Sequence, residues 1–188
     1  GVTTDADLKS GATISITDYI AVVKKAAEGA VEVKGVTKVG SGSVTKISAT
    51  AATADKAGKV EFDTYYTGIA LDKDGKIVNV YNDVAQNTVS VSTTGTITIT
   101  SNLLTKKELK DKYGMKSASG IGKEWYEQQA AFEAAAVGKT FADVSKTPVT
   151  GSDADEAGVP TGDLKSSVTI SITDFINSMA KAVGNVRS

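Results

Sequence analysis

The 188-residue chain contains no histidine and no cysteine. Their absence removes the imidazole and thiolate ligands of ordinary zinc, haem and iron–sulfur sites, and with them thiol catalysis and any triad that uses histidine as its base. Disulfides cannot contribute stability, although a lack of cysteine does not assign a compartment. Charge of one sign is also missing: 21 basic side chains face 22 acidic ones, for a net charge of −1. Such a balance gives no basic footprint for nucleic acid and no field that would draw the chain to an anionic membrane surface. Apolar runs of membrane-spanning length are absent as well. Redox work by this chain would need a borrowed, non-metal cofactor.

What is present is a repeat. "DLKSGATISITDYIAVVKK", from Asp7, returns as "DLKSSVTISITDFINSMAK", from Asp163. Leu8, Lys9, Ser10, Thr13, Ile14, Ser15, Ile16, Thr17, Asp18 and Ile20 all face identical residues in the second copy, and a "GV" pair at Gly1 and again at Gly158 extends the match upstream. In each copy apolar residues recur at three- and four-residue spacing: Ile16, Ile20, Val23 and Ala27, then Ile172, Ile176, Met179 and Val183. That is the stripe of an amphipathic helix. Ser15 or Thr17 is expected to cap the first helix, with Asp18 in its first turn and Gly29 at its end. Only the tail is repeated, which predicts residues 1–30 as the end of one module and residues 31–188 as a complete second module.

Within residues 31–188 the patterning changes along the chain. "ATAATADKAGK" reads as a linker or loose turn. In "VEFDTYYTGIALDKDGKIVNVYNDVAQ" alternating residues flank "DKDG", a hairpin signal, and "NTVSVSTTGTITIT" reads as a second hairpin turning near Gly95. Helical signals follow: Thr105 with Glu108 as a capping box, and the Ala- and Glu-rich "GKEWYEQQAAFEAAAVGKTFADV" stopping at Gly138. Strands first and helices later predict an α+β fold, an antiparallel sheet of hairpins covered by helices.

Two motifs invite a chemical reading that the residues do not carry. "GIGK" at Gly120 to Lys123 lacks phosphate-loop spacing and a hydroxyl after the lysine, so it reads as a turn before a helix. "DKDGK" lacks the remaining ligand positions of a calcium loop. "SGAT" is different, because Ser10, Gly11 and Ala12 leave the Thr13 hydroxyl on an uncrowded turn just ahead of a helix, where a phosphate would meet free amides; the plain alternative is a turn with Thr as a cap.

Asp7, Ser10, Gly11, Ala12 and Thr13, followed directly by the helical stripe, resemble the flavinylation signature of the FMN-binding domain family. "YYTGIALDKDGKIVNVYNDVAQ" is similar to that family's glycine-containing strand and hairpin, and "YGMKSASGIGKEWYEQ" to a longer variant found in flavin-bearing lipoproteins of Gram-positive surfaces, some with two modules in tandem. The resemblance implies covalent FMN, joined through its phosphate to the Thr13 hydroxyl by an ApbE-type flavin transferase that takes the FMN moiety from FAD. It also implies an electron carrier at the extracellular face of the membrane, held by a lipid anchor outside this chain. Electrons would pass from a membrane quinone-linked donor to extracellular acceptors such as ferric iron.

In the second copy Asp163, Ser166 and Thr169 remain while Ser167 and Val168 replace Gly and Ala. Thr169 is the second candidate acceptor, with stiff Val168 expected to crowd it. Tyr113, Met115, Trp125 and Tyr126 are candidates to cover an isoalloxazine ring, against the alternative that Trp125 anchors a core. Asp7 and Asp163 are expected to serve recognition by the transferase. Two other classes of function fit the same residues: a module feeding a reductase for a small organic acceptor such as fumarate, and a flavin-free surface adhesion or spacer repeat.

Overall fold

A computed structural model describes residues 2–101, 104–151 and 157–188 of the chain; Gly1 of the upstream "GV" match lies outside them. Two compact units divide between Lys34 and Gly35. The second unit is an α+β fold built on one antiparallel sheet in the order β1 (Lys38–Thr50), β2 (Gly58–Leu71), β3 (Ile77–Val91) and β4 (Ile97–Ser101). The expected "DKDG" hairpin joins β2 to β3. Asp72 Oδ1 accepts the amides of Asp74 and Lys76 at 2.9 Å each, and Gly75 takes the left-handed conformation at φ 76° that the turn requires. The strand expected to open a separate second hairpin is instead the continuation of β3, which turns at Ser92–Thr96 into β4.

Strand β1 has no clear period in the sequence because close approach, not apolar burial, shapes it. A Cβ added to Gly40 or Gly42 would overlap the backbone at Ala182 on α6 (Thr173–Gly184), so only glycine lets the helix lie this near. Lys181 Nζ and Asn185 Nδ2 then reach the β1 carbonyls of Ser43 and Ser41 at 3.0 and 3.1 Å. Charged and amide ends thereby pin a helix whose other face supplies Ile172 (its N-cap), Phe175 and Met179 to the core.

The remaining helices are α3 (Lys106–Leu109), which opens on the expected Thr105–Glu108 capping box, α4 (Trp125–Ala136) and α5 (Phe141–Val144). Helix α4 stops where Gly138 adopts φ 80°. Ile69, Leu71, Ile77, Val80 and Val84 from the sheet meet Trp125 and Phe132 from α4 and Phe175 and Met179 from α6 in one core. Burying each such large side chain contributes about 1.5–3 kcal/mol.

The first unit contains α1 (Ala6–Gly11) and α2 (Thr17–Glu28). Neither helix buries a residue. Its local geometry repeats that of the second tail: α2 and α6 are both 12 residues long, begin at equivalent threonines, and follow Ile16 and Ile172 with φ,ψ of −109°, −2° and −108°, −4°. Ser10 Oγ donates to Asp7 O at 2.6 Å as Ser166 Oγ donates to Asp163 O at 2.8 Å. The helix caps differ from expectation, since Ile16 and Ile172 occupy the N-cap positions with no side-chain cap bond. The matching residues thus give matching helices, while the segment ahead of them is an α-helix capped by Asp5 in the first copy and a 3₁₀ turn in the second, and only the second helix is buried.

Candidate functional site

The second tail approaches α6 through a 3₁₀ turn over Gly162–Ser166, and Thr169 lies beyond it against α4. Gln128 of α4 holds Thr169 by two bonds to one oxygen: the Thr169 amide donates to Gln128 Oε1 at 2.7 Å and the Thr169 hydroxyl at 3.0 Å. The other end of the same amide donates to Ser119 Oγ at 3.0 Å and to the Lys123 carbonyl at 3.2 Å. Gln128 is fully buried, with both ends of its amide engaged. Thr169 is therefore not a helix cap, and its hydroxyl points to a fixed acceptor on another element.

The loop that faces Thr169 is fixed by the N-cap residue of α4. Glu124, 4% exposed at the N-cap, accepts the amides of Met115 and Lys116 at 2.9 and 3.0 Å. Gly114 and Gly122, at φ 77° and 62°, turn the chain on either side of this segment. Between the loop and the tail turn lies an open cleft of about 460 Å³, lined by Met115, Ala118, Ser119, Gly120, Ile121, Lys165, Ser166 and Thr169. Ligand pockets typically measure roughly 300–1,000 Å³. The lining combines the Lys165 ammonium and the Ser119, Ser166 and Thr169 hydroxyls with the Met115 and Ile121 side chains; Ser166 and Thr169 give their hydrogens to Asp163 O and Gln128 Oε1, which leaves the ammonium to meet an anionic, partly apolar ligand.

The 3₁₀ turn has a second groove on its other side, of about 650 Å³, where Asp163, Leu164 and Ser167 meet Thr161, Lys139 and Lys146. Asp163 is exposed and does not line the Thr169 cleft. The change from "GA" to "SV" has a simple physical account. Ser167 sits at φ −122°, which any residue adopts, and Val168 is fully buried in the core and does not line the cleft. The expected crowding of Thr169 by Val168 is absent, because the extra methyl groups fill the interior.

Of the four residues expected to cover a flavin ring, Met115 alone lines the cleft. Trp125 is 4% exposed and packs against Phe175 with ring centroids 5.8 Å apart. Tyr113 packs on the core beneath Lys106, whose Nζ lies 4.8 Å from its ring centroid. The Tyr126 hydroxyl donates to Asp111 Oδ1 at 3.2 Å, and burial followed by the Asp111 charge raises its pKa above the ordinary phenol value. In the first unit Thr13 is exposed, as are Asp7, Ser10 and Gly11, while Ala12 is half-buried; no hydrogen bond to the Thr13 hydroxyl occurs among the described residues.

Sequence reading missed Gln128 and Glu124, the two residues that organise the cleft. Their signal was available: Gln128 shares the buried face of α4 with Trp125 and Phe132, and a polar residue on an apolar stripe marks a buried hydrogen-bonding site. Among the described residues no group of three acidic side chains could hold a metal ion, and no helix is long and apolar enough to cross a membrane. No family model, curated protein or solved structure matches the chain.

Proposed function

We propose that this chain is a covalent flavoprotein, carrying FMN through phosphoesters on Thr13 and Thr169 and serving as an electron carrier at the extracellular face of a bacterial membrane. The observation that carries the reading is the placement of the Thr169 hydroxyl at a cleft shared with Lys165 and with the Met115–Ile121 loop. A hydroxyl, a cation and an apolar wall are what a phosphate-linked aromatic ring would use. The Lys165 ammonium would balance the phosphoester charge, and Met115 and Ile121 would exclude water from one side of the ring. Bound FMN supplies one- and two-electron chemistry that no side chain here provides. The repeat of the serine bond ahead of Thr13 supports a second attachment point.

The partners of this reading are an ApbE-type flavin transferase, a membrane quinone-linked donor and acceptors such as ferric iron. The test is the intact mass of the chain expressed with and without the transferase, followed by peptide mapping of both tails. Two FMN increments are expected, one on each tail; a single increment confines the reading to the threonine that carries it. No increment, with the transferase active on a control substrate, overturns the reading in favour of a flavin-free surface repeat.

A further inference from the structure

We infer that Gln128 is the positioning residue for modification of Thr169, an inference that rests on the flavoprotein reading and deepens it. Flavin transfer forms a bond between Thr169 Oγ1 and the FMN phosphorus of FAD and breaks the bond from that phosphorus to the oxygen of the AMP half. AMP leaves with the electron pair, and the hydroxyl proton passes to solvent or to a base of the transferase. The attacking oxygen must therefore be held with a lone pair accessible and its hydrogen turned away.

Gln128 meets that requirement. Its Oε1 accepts hydrogen bonds from the Thr169 hydroxyl at 3.0 Å and from the Thr169 amide at 2.7 Å, so the residue is fixed at two points. The amide cannot rotate without breaking its bonds to Ser119 Oγ and the Lys123 carbonyl. Oxygen and nitrogen ends are thereby assigned by their partners. A glutamine oxygen is too weak a base to take the proton, so Gln128 orients the nucleophile and does not activate it. After transfer the Thr169 oxygen has no hydrogen to give, yet the hydrogen bond from the Thr169 backbone N–H to Oε1 remains, and Gln128 stays paired in its buried site. Thr13 has no such partner among the described residues, so the chain contains one oriented acceptor and one unassisted by Gln128.

The two acceptors make each molecule its own control. With the transferase and FAD in excess, site-resolved peptide mass spectrometry over time gives the Thr169 and Thr13 rates separately. In Gln128→Met the Thr169 rate is expected to fall at least tenfold, with Thr13 unchanged and the circular dichroism of the fold retained. If Gln128→Met fails to fold, Ser119→Ala removes the hydroxyl that fixes the amide's orientation and is expected to slow Thr169 alone. A folded variant that modifies Thr169 at the unaltered rate overturns the inference, as does a parent chain modified at Thr13 only. A parent chain modified at neither threonine overturns the flavoprotein reading itself.

Discussion

Thr67 on β2 and Ser178 on α6 hold their hydroxyl oxygens 2.6 Å apart in a site closed to solvent. Thr67 gives its proton to Asn82 Oδ1 at 2.6 Å, so Ser178 is the donor between the two, with the Phe175 carbonyl 3.0 Å away as a second acceptor. This polar link through the core specifies which helix face meets the sheet. Ser178→Ala is expected to cost about 1 kcal/mol in urea unfolding. A double-mutant cycle with Thr67→Val should return a coupling of about 0.5–1.5 kcal/mol. Strict additivity would show that the link is incidental. The first tail places Val22 where the second has Ser178, so its helix lacks this hydroxyl.

The glycines of β1 give a sharper test. Gly42→Ala would drive a methyl group into the α6 backbone at Ala182 and Ser178, and overpacking of this kind costs about 1–3 kcal/mol. The thermal midpoint should fall by several degrees. Gly68→Ala on β2, where a Cβ meets nothing within 4 Å, should leave it nearly unchanged.

Equivalent residues in the two tails should respond oppositely. Met179 is fully buried, whereas Val23 is 68% exposed. Met179→Ala is expected to cost about 2–5 kcal/mol, and Val23→Ala within about 0.5 kcal/mol of nothing. Chemical denaturation of the two variants checks both. A large loss at Val23 would mean that the first tail is buried in solution.

Glu133 and Lys107 bring an ion pair of 2.6 and 2.8 Å into a largely enclosed site, where Glu133 Oε1 also accepts the Asn82 amide at 2.5 Å. Burial raises the Glu133 pKa above its ordinary 4.5, with Lys107 and the Asn82 amide opposing the rise. The folded chain therefore binds the Glu133 proton more tightly than the unfolded chain. This contribution to stability is complete below pH 4.5 and is lost as pH rises through the raised folded value. The stability of the parent chain relative to Glu133→Gln should accordingly decrease as pH rises from 4.5 toward neutrality. An increase over that range would contradict the sign.

Hairpin and helix ends were legible in the sequence because single residues dictate them: Asp72 and Gly75 at one turn, Gly95 at the next, Thr105 and Glu108 at a cap, Gly138 at a stop. The α+β class followed from their order. Strand β1 was not legible, since Gly40 and Gly42 serve a contact with a helix distant in the chain. For the same reason the sequence identified Thr169 as a candidate but not Gln128: the motif is local, whereas its partner on α4 is brought to it by the fold. Local pattern also assigned Val168 to the wrong surroundings, because a repeat does not say which side of the chain faces the interior.

The bonds from the Met115 and Lys116 amides to Glu124 have a consequence for how the cleft behaves over time. They make the loop and the first turn of α4 open and close as one body, so their amides should exchange with solvent at a common rate. A wall tied together before anything arrives loses less freedom when a ligand settles against it, and affinity gained this way costs no new contacts.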